Sequence, residues 1–213
     1  MRVCLTNHGQ ARAAAPHSAA VNSDPHTPDS AQRHAGAVDP SPWVVRFAPL
    51  VPQGGSVLDL ACGTGRHGRY FMERGHRVVF LDRDVSLVAD LKGDARAEIV
   101  EADLETAAGL PLDGRRFAGV VVTNYLWRPL LPALAAALDE GGVLIYETFG
   151  LGNETYSRPR NPDHLLRPGE LLQVFGGALQ VVAYECGLRH DPKPRVIQRI
   201  AAVNSDKPAP IEP

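Results

Sequence analysis

Residues 57–71, VLDLACGTGRHGRYF, decide the fold. The buried-looking run SVLDLA (56–61) enters a turn carrying Gly63 and Gly65, and the helix-forming segment RHGRYFMERG (66–75) starts at once. Glycines there let the chain turn sharply and let a ligand touch bare backbone. The helix start behind them presents free N–H groups. Gly63, Gly65 and Gly68 spell GxGxxG, the pattern of a dinucleotide-binding turn.

On both sides of this turn, strands alternate with helices. HRVVFLD (76–82), AEIVEAD (97–103), FAGVVVTN (117–124) and GGVLIYETF (141–149) read as strands, the fourth as a central parallel one. SLVADLKG (86–93), PLLPALAAAL (129–138) and RPGELLQVFG (167–176) read as helices. LQVVAYEC (179–186) and RVIQRIAAV (195–203) close the chain as an antiparallel pair. Ahead of the turn, SPWVVRFAPLV gives a short amphipathic helix with Ser41 as cap and Pro42 in its first turn. The alternation predicts an α/β, doubly wound, Rossmann-like sheet with helices on both faces.

Composition sets the bounds. The 213 residues carry 22 Lys+Arg against 24 Asp+Glu, a net charge of −2, which argues against a dedicated nucleic-acid binder. No apolar run reaches the ~18–20 residues of a membrane helix, and the N-terminus lacks a signal-peptide pattern. Cys4, Cys62 and Cys186 have no CxxC spacing, so neither a disulfide framework nor a metal site is expected, and the setting is read as cytoplasmic. All thirteen aromatic residues lie between Trp43 and Tyr184, while residues 1–39 hold four of the eight histidines, at positions 8, 17, 26 and 34. The expected organisation is a disordered tail over 1–39, one domain over 40–203, and a second tail over 204–213.

Three acids end three successive strands: Asp59, Asp82 and Asp103. They surround the crevice where open α/β sheets bind ligands. Asp82, 19 residues after Gly63, can accept hydrogen bonds from both hydroxyls of a ribose, which fits NAD and S-adenosylmethionine alike. Asp59 separates the two on charge: a carboxylate in that loop repels a pyrophosphate and suits an ammonium group. Asp103 can accept from an adenine amino group.

The pattern resembles class I S-adenosylmethionine-dependent methyltransferases over roughly 41–203, most specifically in VLDLACGTG. The resemblance implies a seven-stranded, mostly parallel sheet of order 3-2-1-4-5-7-6 with the last strand antiparallel. It also implies a donor site in which Asp59, Ala61, Gly63 and Gly65 hold the methionine moiety. Asp82 with Arg83 would then hold the ribose, Asp103 with Leu104 the adenine, and Asn124 would sit near the transferred methyl. The donor would be S-adenosyl-L-methionine and the product S-adenosyl-L-homocysteine. One departure is Ala61, where the family commonly has glycine; alanine fits if its backbone stays out of the left-handed region. Cys62 is read as a small packed residue.

The acceptor is expected beyond the fourth and fifth strands. Tyr125 and Arg128 follow the fourth; the long polar segment 146–172 carries Glu147, Asn153, Tyr156, Asn161 and His164. Loops of this length are usually functional or disordered, and this one is read as a substrate cover. Tyr125, Glu147 and His164 are the catalytic candidates, the last two as bases; Arg128, Asn153, Tyr156 and Asn161 are the substrate-binding ones. Trp43 or Arg46 could close over the donor. The YETF–GNE–NPD–LLRPGELL string is similar to that of small bacterial methyltransferases of the tellurite-resistance type. The function expected is methyl transfer to a small molecule by a monomer or homodimer, without nucleic acid or membrane. An NAD-linked oxidoreductase and a non-catalytic S-adenosylmethionine-binding protein are the competing readings.

Overall fold

A computed structural model describes residues 39–106 and 109–208. The expected tail over 1–39, with Cys4 and its four histidines, lies outside them apart from Asp39, as do residues 209–213 of the expected C-terminal tail.

The strands are β1 (Ser56–Leu60), β2 (Arg77–Asp82), β3 (Ala97–Glu101), β4 (Phe117–Thr123), β5 (Leu138–Phe149), β6 (Gln180–Arg189) and β7 (Arg195–Val203). They form one sheet of order β3-β2-β1-β4-β5-β7-β6. The first five pair in parallel, and β7 enters antiparallel between β5 and β6. The expected order and the Rossmann-like class are therefore both present.

Alternation along the strands sends side chains to two cores. Leu58, Leu60, Val120, Val122 and Tyr146 face α3 (Leu131–Ala136) and α4 (Glu170–Phe175). Val57, Phe80, Val121 and Ile145 face α1 (Pro42–Phe47) and α2 (Arg66–Glu73). Each such buried side chain contributes roughly 1.5–3 kcal/mol. The expected cap is present: the Ser41 hydroxyl accepts from Trp43 N–H, with Pro42 at the first helical position. Gly68 is required by packing, since a Cβ there would lie 2.2 Å from the Phe80 ring.

Several boundaries differ from the sequence reading. The expected helix 86–93 is a 3-10 run, Ser86–Leu91, which buries only Val88; one buried side chain gives too narrow an apolar face to hold an α-helix. The helix expected to reach residue 138 ends at Ala136, because Leu138 already pairs with Phe117. The sheet register then shifts before Gly119 meets Val143. Asn204, placed in the tail by the sequence, fastens this irregularity: its N–H donates to Gly142 O (2.8 Å), its carbonyl accepts from Gly141 N–H (2.7 Å), and its amide donates to Asp139 O (2.9 Å). Among the described residues no helix is long and apolar enough to cross a membrane, and no group of three His, Cys, Asp or Glu could hold a metal ion.

Candidate active site

The C-terminal ends of the parallel strands form one edge of the sheet, and two clefts lie along it. The first, about 440 Å³, is lined by Ala61, Asp82, Arg83, Asp103, Leu104, Asn124, Tyr125 and His164, all expected from sequence, together with Ala102, Glu105, Leu126 and Pro159. Glu105 and Pro159 were not anticipated.

The Gly-rich turn is held from both sides by carboxylates. Asp82 Oδ2 accepts from Gly63 N–H and Oδ1 from Asp84 N–H, at 2.8 and 3.1 Å. Asp82 thus links loop to cleft. Gly63 and Gly65 have positive φ, and a Cβ at Gly63 would meet no atom within 4 Å, leaving room against bare backbone. A Cβ at Gly65 would lie 2.6 Å from Val88, so that glycine answers to packing.

Asp59 departs from its expected role. Alternation on β1 turns its side chain away from the cleft and under the loop, where it is buried and accepts from Gly68 N–H at 2.8 Å. Burial pushes its carboxyl up to about 7, against the pull of that hydrogen bond and of Arg66. The charge argument against a pyrophosphate therefore passes from Asp59 to Asp82, Asp103 and Glu105, which do line the cleft.

Ala61 also departs from expectation. Its φ is +53°, inside the left-handed region, which costs a residue with a Cβ about 1–2 kcal/mol. Asn124 sits there too, at φ +55°, but its short polar side chain makes it one of the residues that tolerate it.

The acceptor-side candidates scatter. Tyr125 reaches the first cleft, and its hydroxyl is buried with no hydrogen-bond partner among the described residues. Burial, then the charges of Glu105 and Asp103, push the phenol up to about 12, so it is neutral at pH 7. Arg128 is a structural clamp: its guanidinium pairs with both oxygens of Glu170 and donates to Asp163 O and Leu165 O. Asn153 is fully buried and accepts from Val196 N–H, fixing the loop to β7. Asn161 accepts from Asp163 N–H in a local turn, and Tyr156 is exposed outside both clefts. Arg128 thus meets the Glu170 carboxylate and the loop backbone, and the other three meet the protein's own backbone or solvent, because the segment after β5 packs onto β7 and α4. Only Pro159 and His164 of that segment reach a cleft, and it is the first one.

Trp43 and Arg46 do not close over this edge. The Trp43 indole is buried and donates to Ile200 O, and Arg46 stacks near Phe47 beside Glu185. Cys62 is buried, and burial raises its thiol well above the usual range, as suits a packed residue.

The second cleft, about 490 Å³, shares Asn124 with the first. Ser41, Arg66, Glu147, Arg189, Arg195 and Arg199 line it, with Asp39 and Asp191. Glu147 is not a free carboxylate: Oε1 accepts from the Ser41 hydroxyl at 2.9 Å and Oε2 from Arg199 at 3.1 Å. Behind it, His67 is buried, accepts from Ser41 N–H at Nε2 (3.2 Å) and faces Thr123 through Nδ1 (3.4 Å). Burial, then Arg66, holds it down to about 3, hence neutral. Arg66 and His67 come from the Gly-rich turn into α2, while Arg189, Arg195 and Arg199 carry no motif and are brought here by strand register.

Comparison with known proteins agrees with this geometry. Residues 57–142 match the family model described as a methyltransferase domain. TehB from Haemophilus influenzae superposes with a TM-score of 0.60 at 18% identity, covering 76% of this chain and 61% of TehB. This chain thus spans about three-fifths of that protein. A TehB-like SAM-dependent methyltransferase from Corynebacterium glutamicum gives 0.53 at 23% identity, over 76% of this chain and 86% of the other. The Burkholderia thailandensis 1,6-didemethyltoxoflavin-N1-methyltransferase, solved with 1,6-didemethyltoxoflavin and S-adenosylhomocysteine, gives 0.58 at 20%, over 77% and 76%. No curated protein matches the sequence. Sheet order and structural likeness together give this chain the class I methyltransferase fold, similar to that of TehB, and residues 57–142 match the methyltransferase-domain model.

Proposed function

We propose that the protein transfers a methyl group from S-adenosylmethionine to a small-molecule acceptor, using residues 40–203 as the catalytic domain. One observation carries this reading: Asp82, Asp103 and Glu105 converge on the cleft beside Gly63. Such an acidic cleft suits a donor that brings hydroxyls, an amino group and positive charge, and it disfavours the pyrophosphate of NAD. The open backbone at Gly63 and the unpartnered Tyr125 hydroxyl fit a polar ligand lying along this edge.

S-adenosylmethionine would supply an activated methyl on a sulfonium. Asp82 would accept from the ribose hydroxyls while keeping Gly63 N–H in place, and Asp103, flanked by Leu104, would accept from the adenine amino group. Arg83 and Ala61 would close the sides of the donor. Asn124, common to both clefts, would stand between donor and acceptor. The enzyme's contribution is alignment and exclusion of water. Where the acceptor carries a proton, His164 is the lining imidazole placed to accept it. The net charge of −2 argues against nucleic acid as the acceptor, and we place the protein in the cytoplasm as a monomer or homodimer.

Thermal unfolding with added ligand tests the donor. S-adenosylhomocysteine at about 100 times its Kd should stabilise the protein by about 2.7 kcal/mol. Stabilisation by NADH and not by S-adenosylhomocysteine would overturn the reading.

A further inference from the structure

The second cleft points to the acceptor's chemistry. β7 runs antiparallel, so its first residue, Arg195, lies at the edge where the parallel strands end. In the β6–β7 hairpin Arg195 stands directly opposite Arg189. Both line the second cleft, with Arg66 from the start of α2. Like charges directly opposite on a strand pair are destabilising. Among the described residues neither Arg189 nor Arg195 has a carboxylate within ion-pair distance.

The same hairpin shows how this chain neutralises an arginine when only folding is at stake. Arg199, four residues along β7, stands opposite Glu147 on one side and Glu185 on the other, and its guanidinium bonds to both. One cation there has two carboxylates; the pair at the cleft mouth has none. Asp39 and Asp191 also line the cleft, but Asp39 meets Arg66 through its backbone carbonyl, at 3.2 Å. Arg189 and Arg195 line the cleft half-buried and without a carboxylate partner, and a guanidinium fork matches a carboxylate or phosphate.

We infer that the methyl acceptor is an organic anion whose carboxylate or phosphate group is held by Arg189 and Arg195, with Arg66 beside them, while its reacting atom is presented toward Asn124. The inference rests on the methyl-transfer reading above, and it sorts the two substrates by charge along one edge. The donor, a cation at its sulfonium, enters the acidic cleft; the anion enters the basic one. Methyl transfer then moves the methyl from sulfur to the acceptor's nucleophilic atom. The S–C electron pair stays on sulfur, and any acceptor proton leaves to a base or to solvent.

The test separates this inference from the donor assignment. Binding of acetate, benzoate and phenyl phosphate is measured against acetamide, benzamide and phenol, by calorimetry, on the full chain with and without S-adenosylhomocysteine. At least one anion should bind at least tenfold more tightly than its neutral counterpart. R189Q/R195Q should weaken that anion at least tenfold, R189K/R195K should recover part of the loss, and the Kd for S-adenosylhomocysteine should move less than twofold in both. R189Q/R195Q should also raise Tm, because it removes a like-charge pair; a merely structural pair would lower it. Equal binding of anions and neutrals, no anion binding, or indifference of the anion to R189Q/R195Q would overturn the inference. Failure of S-adenosylhomocysteine to bind the unaltered protein, with anion selectivity intact, would overturn the donor reading alone.

Discussion

Two clefts share one edge of the sheet and meet at Asn124, yet they are built differently. The first is made by parallel strand ends and the turns that follow them, so its acids sit where the sequence shows them, at the ends of β2 and β3 and just beyond. The second is made by an antiparallel hairpin arriving from the far end of the chain, so its arginines come from positions that no local pattern connects. The contrast teaches that one edge of a crossover fold can owe one cleft to local sequence and the next to long-range register.

The sharpest way to break this comparison concerns which carboxylates belong to the first cleft. Asp59 faces the core, and its carboxyl is raised to about 7 chiefly by burial. A carboxyl raised in the folded state contributes stability that is present below its unfolded value near 4 and is lost as pH rises to about 7. D59N should therefore gain on the parent protein across that window, by on the order of 3–4 kcal/mol in denaturant unfolding. S-adenosylhomocysteine affinity should change by less than about threefold. In D59N the slope between about pH 4 and 6.5 is that of His67, held down to about 3 by burial, with Asp84, Asp94 and Glu170, all lowered, adding to it further into acid. A depressed histidine costs stability as pH falls from about 6.5 toward 3, so the variant should lose stability only on the acid side. A collapse of donor binding in D59N would return Asp59 to the site.

Asp82 is the matching probe inside the cleft. D82A removes the partner of Gly63 N–H and the acceptor proposed for the ribose, so the Kd for S-adenosylhomocysteine should rise by about thirtyfold to a hundredfold. Binding of anions at the second cleft should persist. D103A, which leaves the Gly63 contact alone, should weaken the donor by about tenfold.

Glu147 tests the second cleft. E147Q leaves Arg199 with Glu185 and should cost about 1–2 kcal/mol in thermal unfolding, while anion affinity stays level or improves. Loss of turnover at unchanged stability would instead make Glu147 the proton acceptor. The smallest effect belongs to Ala61: A61G relieves the left-handed backbone and should stabilise by about 0.5–1 kcal/mol in the same assay, leaving donor affinity within about twofold.

The first cleft was largely legible because its lining residues, Pro159 and His164 apart, lie within a few positions of a strand end. Asp82, Arg83, Asp103, Leu104 and Asn124 follow strands whose apolar runs are unmistakable, and strand polarity puts every such end on one edge. Asp59 lies outside the cleft lining because its position depends on which face of β1 it takes, and alternation carries it to the helix side. Arg128, after the fourth strand, and Asn153, Tyr156 and Asn161, in the long segment, line neither cleft, for a different reason. A polar side chain in a long segment can serve a ligand or serve the segment itself, and composition does not separate the two. Here Glu170 and the backbone at Val196 take Arg128 and Asn153 for the loop's own anchoring.

The sequence alone determined the strand–helix alternation and the sharp turn at Gly63, and so the edge at which a ligand would lie, because hydrophobic period and glycine placement are local properties. The tertiary structure decided what no local property carries. The antiparallel entry of β7 set Arg195 against Arg189 and Arg199 between two glutamates. It decides which charges find partners and which are left to bind, since strand register is fixed by side chains packing far apart in the chain.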